Sequence, residues 1–165
     1  MVEPPELWRL WNGSEYMSRF SGESDAAPVS GYLQRRFTPA RANRALVLVR
    51  RIVADVVIGY RRLMELQEVV DVSKPGETLQ EARSDVAHLV QELHCYLEEL
   101  NEIGVEVRDL ELGIVNFPCQ VDGRYICLCW RLGEHSVRYW HELGESFAQR
   151  QPIESLVAEM IAMGE

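Results

Sequence analysis

The stretch that decides the fold is residues 114–131, which read IVNFPCQV-DG-RYICLCWR. The Asp-Gly pair at 122–123 is favoured in type I′ turns, because both central residues of that turn need positive φ. Apolar and polar residues alternate on both sides of this pair. The pattern therefore predicts an antiparallel β-hairpin in which Phe117 faces Leu128 and the other pairs follow in step.

The two faces of this hairpin differ in composition. The apolar face is predicted to pack against helices, and it carries Val115, Phe117, Cys119, Val121, Ile126, Leu128 and Trp130. The opposite face is mixed, and we expect it to point away from the helices and to carry any chemistry. It holds Ile114, Asn116, Pro118, Gln120, Tyr125, Cys127, Cys129 and Arg131.

The cysteines of the hairpin do not predict a metal site. Cys119 points to the opposite face from Cys127 and Cys129, so three thiolates cannot converge on one tetrahedral ion without a bulge. A redox pair is also disfavoured, since same-face neighbours on a strand lie about 6.5 Å or more apart, which is poor disulfide geometry. We predict neither a metal nor a cofactor, and we interpret the cysteines as small buried hydrophobes.

Two long helices are predicted before the hairpin. Apolar residues recur at helical spacing over about 38–70 and again over about 78–103. Thr38 followed by proline suits a helix start, and Gly104 suits a helix end. The break between the helices is short, which predicts an antiparallel helical hairpin.

A capping box and a short tail helix complete the predicted elements. Thr78 and Glu81 have the spacing of a capping box at the start of the second helix. Residues 153–163 are predicted as a short C-terminal helix. We therefore expect residues 1–36 to form an arm with a linker, and residues 37–165 to form one α+β domain. Its long helical hairpin would pack on a small antiparallel sheet.

The net charge and the distribution of apolar residues exclude some classes of function. The chain of 165 residues is 47% hydrophobic and carries a formal charge of −9. This acidic balance argues against a nucleic-acid binder, whose affinity for phosphate needs cations. No apolar run reaches the length of a membrane span, and no secretory signal is visible at the N-terminus. We expect a cytoplasmic protein with reduced thiols, which binds neither nucleic acid nor membrane.

The charges are divided between the two helices. Residues 35–62 hold eight arginines and one acidic residue, whereas residues 65–111 hold thirteen acidic and three basic residues. We interpret this as a basic helix lying against an acidic one, in the same chain or in a second subunit. The apolar stripes run further than one helical hairpin needs, so we predict a homodimer through the helices. The alternative is an anion site formed by the arginines between 35 and 44 at the first helix start.

The segment after the hairpin supplies the candidate chemistry. His141 and Glu142 could act as an acid–base pair together with Asp109, Asn116 and Arg131, because histidine titrates near neutral pH. The competing interpretation is that His141 only hydrogen-bonds the hairpin. Neither a Ser–His–Asp order, a glycine-rich phosphate loop, a zinc-protease motif nor a dinucleotide fingerprint is present.

Several motifs together resemble a known family. They are FTP at 37–39 with AN at 42–43, GVEVRDL at 104–110, GIVNFP at 113–118, LCWRLGE at 128–134, and WHE at 140–142 with a final FxxRQP at 147–152. Over residues 37–153 the chain resembles the bacterial domain-of-unknown-function family 2203. The resemblance implies no activity. It implies only motif positions at Asp109, Asn116, Cys129, Trp130, Arg131, Trp140, His141, Glu142 and Arg150.

One departure from the family pattern bears on function. The family usually has Asp where this chain has Asn116, and an amide keeps hydrogen bonding but not acid–base chemistry. We expect a non-enzymatic homodimer that binds a protein partner or a small anionic ligand near the hairpin. The alternative is a small hydrolase or metal-dependent enzyme using His141 and Glu142. The candidate site residues are Asp109, Asn116, Cys129, Arg131, Trp140, His141, Glu142 and Arg150.

Overall fold

The computed structural model describes residues 37–163, so the predicted arm at 1–36 lies outside the described residues. The chain forms two long helices, a five-stranded antiparallel sheet and a short C-terminal helix, which is the predicted α+β class. In chain order the elements are α1 (Pro39–Val72), α2 (Glu77–Ile103), β1 (Glu106–Asp109), β2 (Ile114–Val121), β3 (Arg124–Arg131), β4 (Tyr139–Glu142), a 3-10 helix (Phe147–Gln149), β5 (Gln151–Pro152) and α3 (Ile153–Met163).

The start of α1 is anchored to the sheet. Thr38 caps the helix as predicted, since its Oγ1 accepts a hydrogen bond from the backbone N of Arg41 at 3.2 Å. Just before the cap, the backbone N of Phe37 donates to the carbonyl O of Pro118 at 2.7 Å. The Phe37 ring meets the Phe117 ring edge-on at 5.1 Å. These contacts fix the first turn of α1 over the apolar face of β2.

The predicted capping box at the start of α2 is wrong. The helix begins at Glu77, its N-cap is Gly76, and no side chain caps it. The backbone N of Gln80 already donates to the carbonyl O of Gly76 at 3.2 Å. Thr78 therefore lies inside the first turn, where its side chain cannot serve as the N-cap. At the other end, Gly104 closes the helix with φ 98°, as predicted.

Gly59 lies where α1 packs closely against α2. A Cβ built on Gly59 would lie 2.9 Å from Cδ2 of Leu93, closer than two carbon atoms can approach. Leu93 therefore occupies the space that a larger residue at 59 would need. On α1 the buried positions are Ala42, Leu46, Val49, Ile52, Val53, Val56, Val57, Gly59, Leu63 and Leu66.

The five strands follow one another in order across the sheet. The predicted hairpin register is confirmed, with Phe117 opposite Leu128. The Asp122-Gly123 turn has the positive φ angles, 48° and 77°, that a type I′ turn needs. The sequence did not predict β4 or β5, which extend the hairpin on the β3 side.

The apolar face of the sheet lies against α1. Phe117 and Trp130 are fully buried, as predicted. Gly113, in the tight connection between β1 and β2, sits so close to α1 that a Cβ there would lie 3.0 Å from side-chain atoms of both Val53 and Val57. This layer forms the core of the domain.

The mixed face of the sheet is not turned outward, which corrects the sequence prediction. Asn116, Cys127 and Cys129 on this face are buried. Of the other residues expected to point outward, Ile114 is buried too, Pro118, Gln120 and Tyr125 are half-buried, and Arg131 is exposed. Arg150, from the segment after β4, lies over the ring of Tyr139, which pairs with Cys129 on this face. Nothing in the alternating pattern of the hairpin could reveal that contact.

The helices were compared with the requirements of a membrane span. Within residues 37–163, no helix combines the length and the apolar composition needed to cross a membrane.

Candidate functional site

Five polar or thiol side chains are buried together on the mixed face of the sheet. Glu106 is paired with Asn116 across β1 and β2, Asn116 with Cys129 across β2 and β3, and Cys127 with His141 across β3 and β4. Directly paired residues share a face of a sheet. We call these five residues the buried polar cluster, and none of them is more than 7% exposed.

His141 is held at both ring nitrogens. Its Nδ1 lies 2.8 Å from the carbonyl O of Glu142, which can only accept, so Nδ1 carries a proton. Its Nε2 lies 3.3 Å from the side-chain amide of Asn116. The amide of Asn116 offers both an acceptor oxygen and N–H donors, so it can pair with Nε2 as either donor or acceptor. His141 thus ties β4 to β2, and the interpretation that it hydrogen-bonds the hairpin is confirmed.

Glu106 is the buried acid of the cluster, and sequence reasoning missed it. Its Oε1 accepts a hydrogen bond from Nη1 of Arg108 at 2.7 Å, and its side chain is only 8% exposed. The pairing offsets the cost of removing a carboxylate from water. The available signal was the alternation in β1, which places residues 106 and 108 on the same side of the strand.

The two thiols of the cluster are protonated at neutral pH. Burial, reinforced by the nearby Glu106 carboxylate, raises the pKa of Cys127 to about 12. Burial also raises the pKa of Cys129 to about 12, against the opposing effect of the Arg150 guanidinium. Nucleophilic attack and metal binding need the thiolate. The arrangement therefore supports the interpretation of these cysteines as buried apolar groups.

Arg150 fastens the chain after β4 onto the mixed face. Its guanidinium carbon lies 3.9 Å from the centroid of the Phe147 ring and 4.1 Å from that of Tyr139. The guanidinium also forms an ion pair with Glu134. The charge of Arg150 is therefore matched within the chain, which leaves it poorly suited to hold an anionic ligand.

Asp109 and Arg131 have separate local roles. Oδ1 of Asp109 accepts hydrogen bonds from the backbone N of Glu111 and of Leu112, at 2.9 and 2.8 Å, and so shapes the turn between β1 and β2. Arg131 is exposed, and its backbone N donates to Oε2 of Glu134 at 3.0 Å. Neither side chain makes a described contact with His141.

Trp140 and Glu142 lie on the other side of β4 from His141, because successive residues of a strand alternate between faces. Nε1 of Trp140 donates to Oγ of Ser155 at 3.1 Å and lies 3.2 Å from the carbonyl O of Pro152. Glu142 forms an ion pair with Arg124 at 3.4 Å. The His141 and Glu142 side chains therefore do not converge.

The family of the chain follows from a direct comparison. The family model described as "Uncharacterized conserved protein (DUF2203)" matches residues 35–153. The chain belongs to this family. No curated protein and no solved structure matches it. The DUF2203 region covers α1, α2 and the whole sheet, and so includes every candidate site residue.

No metal centre emerges from the ionisable side chains of this DUF2203 chain. Among the residues that the structure describes, no three His, Cys, Asp or Glu side chains are grouped so that they could hold a metal ion. Cys119 lies on the opposite face from the other two hairpin cysteines, because it pairs with Ile126. The facing argument made from the sequence is thereby confirmed.

Asn43, a motif position of the resemblance to which no role was assigned, joins α1 to the segment before β4. Its Oδ1 accepts from the backbone N of Val137 at 2.8 Å, and its Nδ2 lies 3.3 Å from the carbonyl O of the same residue. The amide thus pairs with Val137 as a neighbouring strand would. A lone asparagine on a helix carries no pattern that could reveal this role.

A second surface stands out on α1, facing away from the core. Val47 and Ile58 are 70% and 66% exposed, and Val69 and Val72 continue the same line. Val47, Ile58 and Val69 follow one another at intervals of eleven residues, which is close to three helical turns. We call these four residues the outer stripe. The sequence prediction counted only the buried face of this helix, although the spacing of eleven was visible.

Proposed function

We propose that the protein is a non-enzymatic interaction protein that acts as a homodimer through its helical layer. The observation that carries the proposal is the outer stripe of α1. Single exposed aliphatic residues are common on protein surfaces, but four aliphatic residues on one side of a single helix favour a contact along that side. Burying them against a partner removes apolar area from water, which stabilises an assembly.

The charges of the helical layer favour a second copy as the partner. Between residues 41 and 62, α1 carries six arginines and one aspartate. In contrast, α2 carries seven acidic residues and one arginine. One protomer therefore offers both a basic and an acidic surface, and two copies related by a twofold axis can bring opposite charges together.

The sheet supports a binding role over the hydrolase alternative. A hydrolase that uses His141 and Glu142 needs both side chains at one reacting centre, and these side chains point to opposite faces of β4. A small anionic ligand near the hairpin is left with Arg131, since Arg150 is paired with Glu134. The four free cysteines fit a reducing compartment, which agrees with a cytoplasmic location.

Light scattering after size exclusion tests the proposal. We expect the unmodified chain to elute with twice the mass of one protomer, 19.0 kDa. Ile58→Asp places a charge in the middle of the outer stripe and should give a monomer. Leu143→Asp is the matched control, because Leu143 is also exposed, at 56%, but lies outside the helical layer. A dimer that survives Ile58→Asp, or an unmodified chain that is a monomer, would overturn the proposal.

A further inference from the structure

The residues on the outer side of α1 are arranged symmetrically about Ile58. Val47 and Val69 lie eleven residues before and after it, and both are aliphatic. Arg51 and Glu65 lie seven residues before and after it, and their charges are opposite. Since residues seven or eleven apart are close to whole numbers of turns, all five project from nearly the same side of the helix.

This arrangement fits one way of pairing two copies. When two identical helices lie antiparallel about a twofold axis, residues at equal distances before and after the central residue face each other. With Ile58 at the axis, Val47 meets the partner's Val69, Ile58 meets its own copy, and Arg51 meets the partner's Glu65. In a parallel pair, Arg51 would meet its own copy and repel it.

A second charge pair agrees with the same register. Arg62 and Glu65 already form an ion pair on one chain, with Nη1 and Oε2 at 3.2 Å, and both side chains are exposed. In the antiparallel pair Asp55 lies on the flank of the partner's Arg62, offset by about one residue's rise of 1.5 Å. Arg51 of one protomer then lies beside Glu65 of the other, and Asp55 beside Arg62, so that each charge has a neighbour of opposite sign. This row of four charges recurs on the other side of the axis.

We propose that α1 pairs antiparallel with α1 of a second copy, with Ile58 on the twofold axis. This inference rests on the proposed homodimer and specifies its contact. Ile58 forms the centre of the contact, with the Arg51–Glu65 pairs about 10 Å and the Val47–Val69 pairs about 16 Å to either side of it. The charge rows set its direction and register.

Disulfide cross-linking tests the register. At a helix separation of about 10 Å, facing Cα atoms come to roughly 5.4 Å, which a disulfide can span. In a Cys95→Ser background, which removes the exposed native thiol, Ile58→Cys should give a covalent dimer under mild oxidation. Val47→Cys is the matched control: it is equally exposed, but its two copies would lie about 33 Å apart along the helix pair. The pair Val47→Cys and Val69→Cys in one chain should restore cross-linking.

The outcomes separate this inference from the proposed function. Efficient cross-linking at both 47 and 58 as single variants would mean a parallel pair and would overturn the inference. Absence of cross-linking at 58 in a chain that light scattering shows to be dimeric would overturn the register but leave the homodimer. A monomer by light scattering would overturn both.

Charge exchange provides an independent check of the same contact. Arg51→Glu places two carboxylates opposite each other and should weaken the dimer on the order of tenfold. Glu65→Arg should do the same, and the chain with both changes should regain most of the affinity. Sedimentation velocity over a concentration series measures all three. Equal weakening by the double and single variants would contradict the proposed facing of residues 51 and 65.

Discussion

The buried polar cluster of the sheet and the outer stripe of α1 both lie where their compositions would not place them. Polar and thiol groups are inside, where each is held by a partner or kept protonated. Aliphatic side chains are outside, where water meets them. Buried polar groups are retained only when they are satisfied, so the cluster is interpreted as part of the fold. Exposed aliphatic residues in a line have no such role in the fold, and we propose that they form a contact surface.

The largest effect on stability is expected for a variant of the buried polar cluster. His141→Ala removes an imidazole that is held at both nitrogens, and leaves the amide of Asn116 without that partner. The cavity and the unsatisfied amide together should lower the free energy of unfolding by about 3 kcal/mol. His135→Ala, at an exposed position, is the control and should change it by less than about 0.5 kcal/mol. Urea unfolding measures both.

An unchanged free energy of unfolding for His141→Ala would contradict the interpretation of the buried polar cluster as part of the fold. The histidine would then be dispensable to stability, and a chemical role for the cluster would again be a candidate.

A smaller effect is expected from the thiols, and it depends on pH. An unfolded cysteine loses its proton with a pKa near 8.5, whereas the folded chain holds the Cys127 proton up to a pKa of about 12. The folded state therefore binds more protons in this window, so stability is complete below about pH 8.5 and falls as pH rises towards 12. At pH 10 the loss due to this thiol is about 2 kcal/mol.

Urea unfolding at pH 7 and pH 10 tests this prediction. The loss between the two pH values should be smaller by about 2 kcal/mol in Cys127→Ala than in the unmodified chain. Cys95→Ala, which changes an exposed thiol, should show the full loss. If the two variants lose stability equally, Cys127 is not protected by burial, and the contrast between the two surfaces is weakened.

The sequence predicted those parts of the fold that depend on local rules. The Asp-Gly turn determined the hairpin register, and Thr38 with Gly104 located helix ends, because turns and caps need particular residues. The contact of Arg150 with Tyr139 on the mixed face escaped prediction because Arg150 reaches it from a distant segment. The pattern of the hairpin contains no trace of that contact.

The candidate site was predicted as a set of residues but not as an arrangement. His141 and Asn116 do meet, whereas Asp109 shapes its own turn and Glu142 points to the other face. Adjacency in sequence suggested a His–Glu pair, and the alternation of β4 separates their side chains. The outer stripe was visible as a spacing of eleven residues, but exposure cannot be read from spacing until the buried face of the helix is known.

Sedimentation equilibrium of the unmodified chain over a range of concentrations is the sharpest test of whether the outer side of α1 binds a second copy. We expect the average mass to reach twice 19.0 kDa and to fall towards 19.0 kDa only on dilution. A mass that stays at 19.0 kDa up to the highest concentration would contradict it.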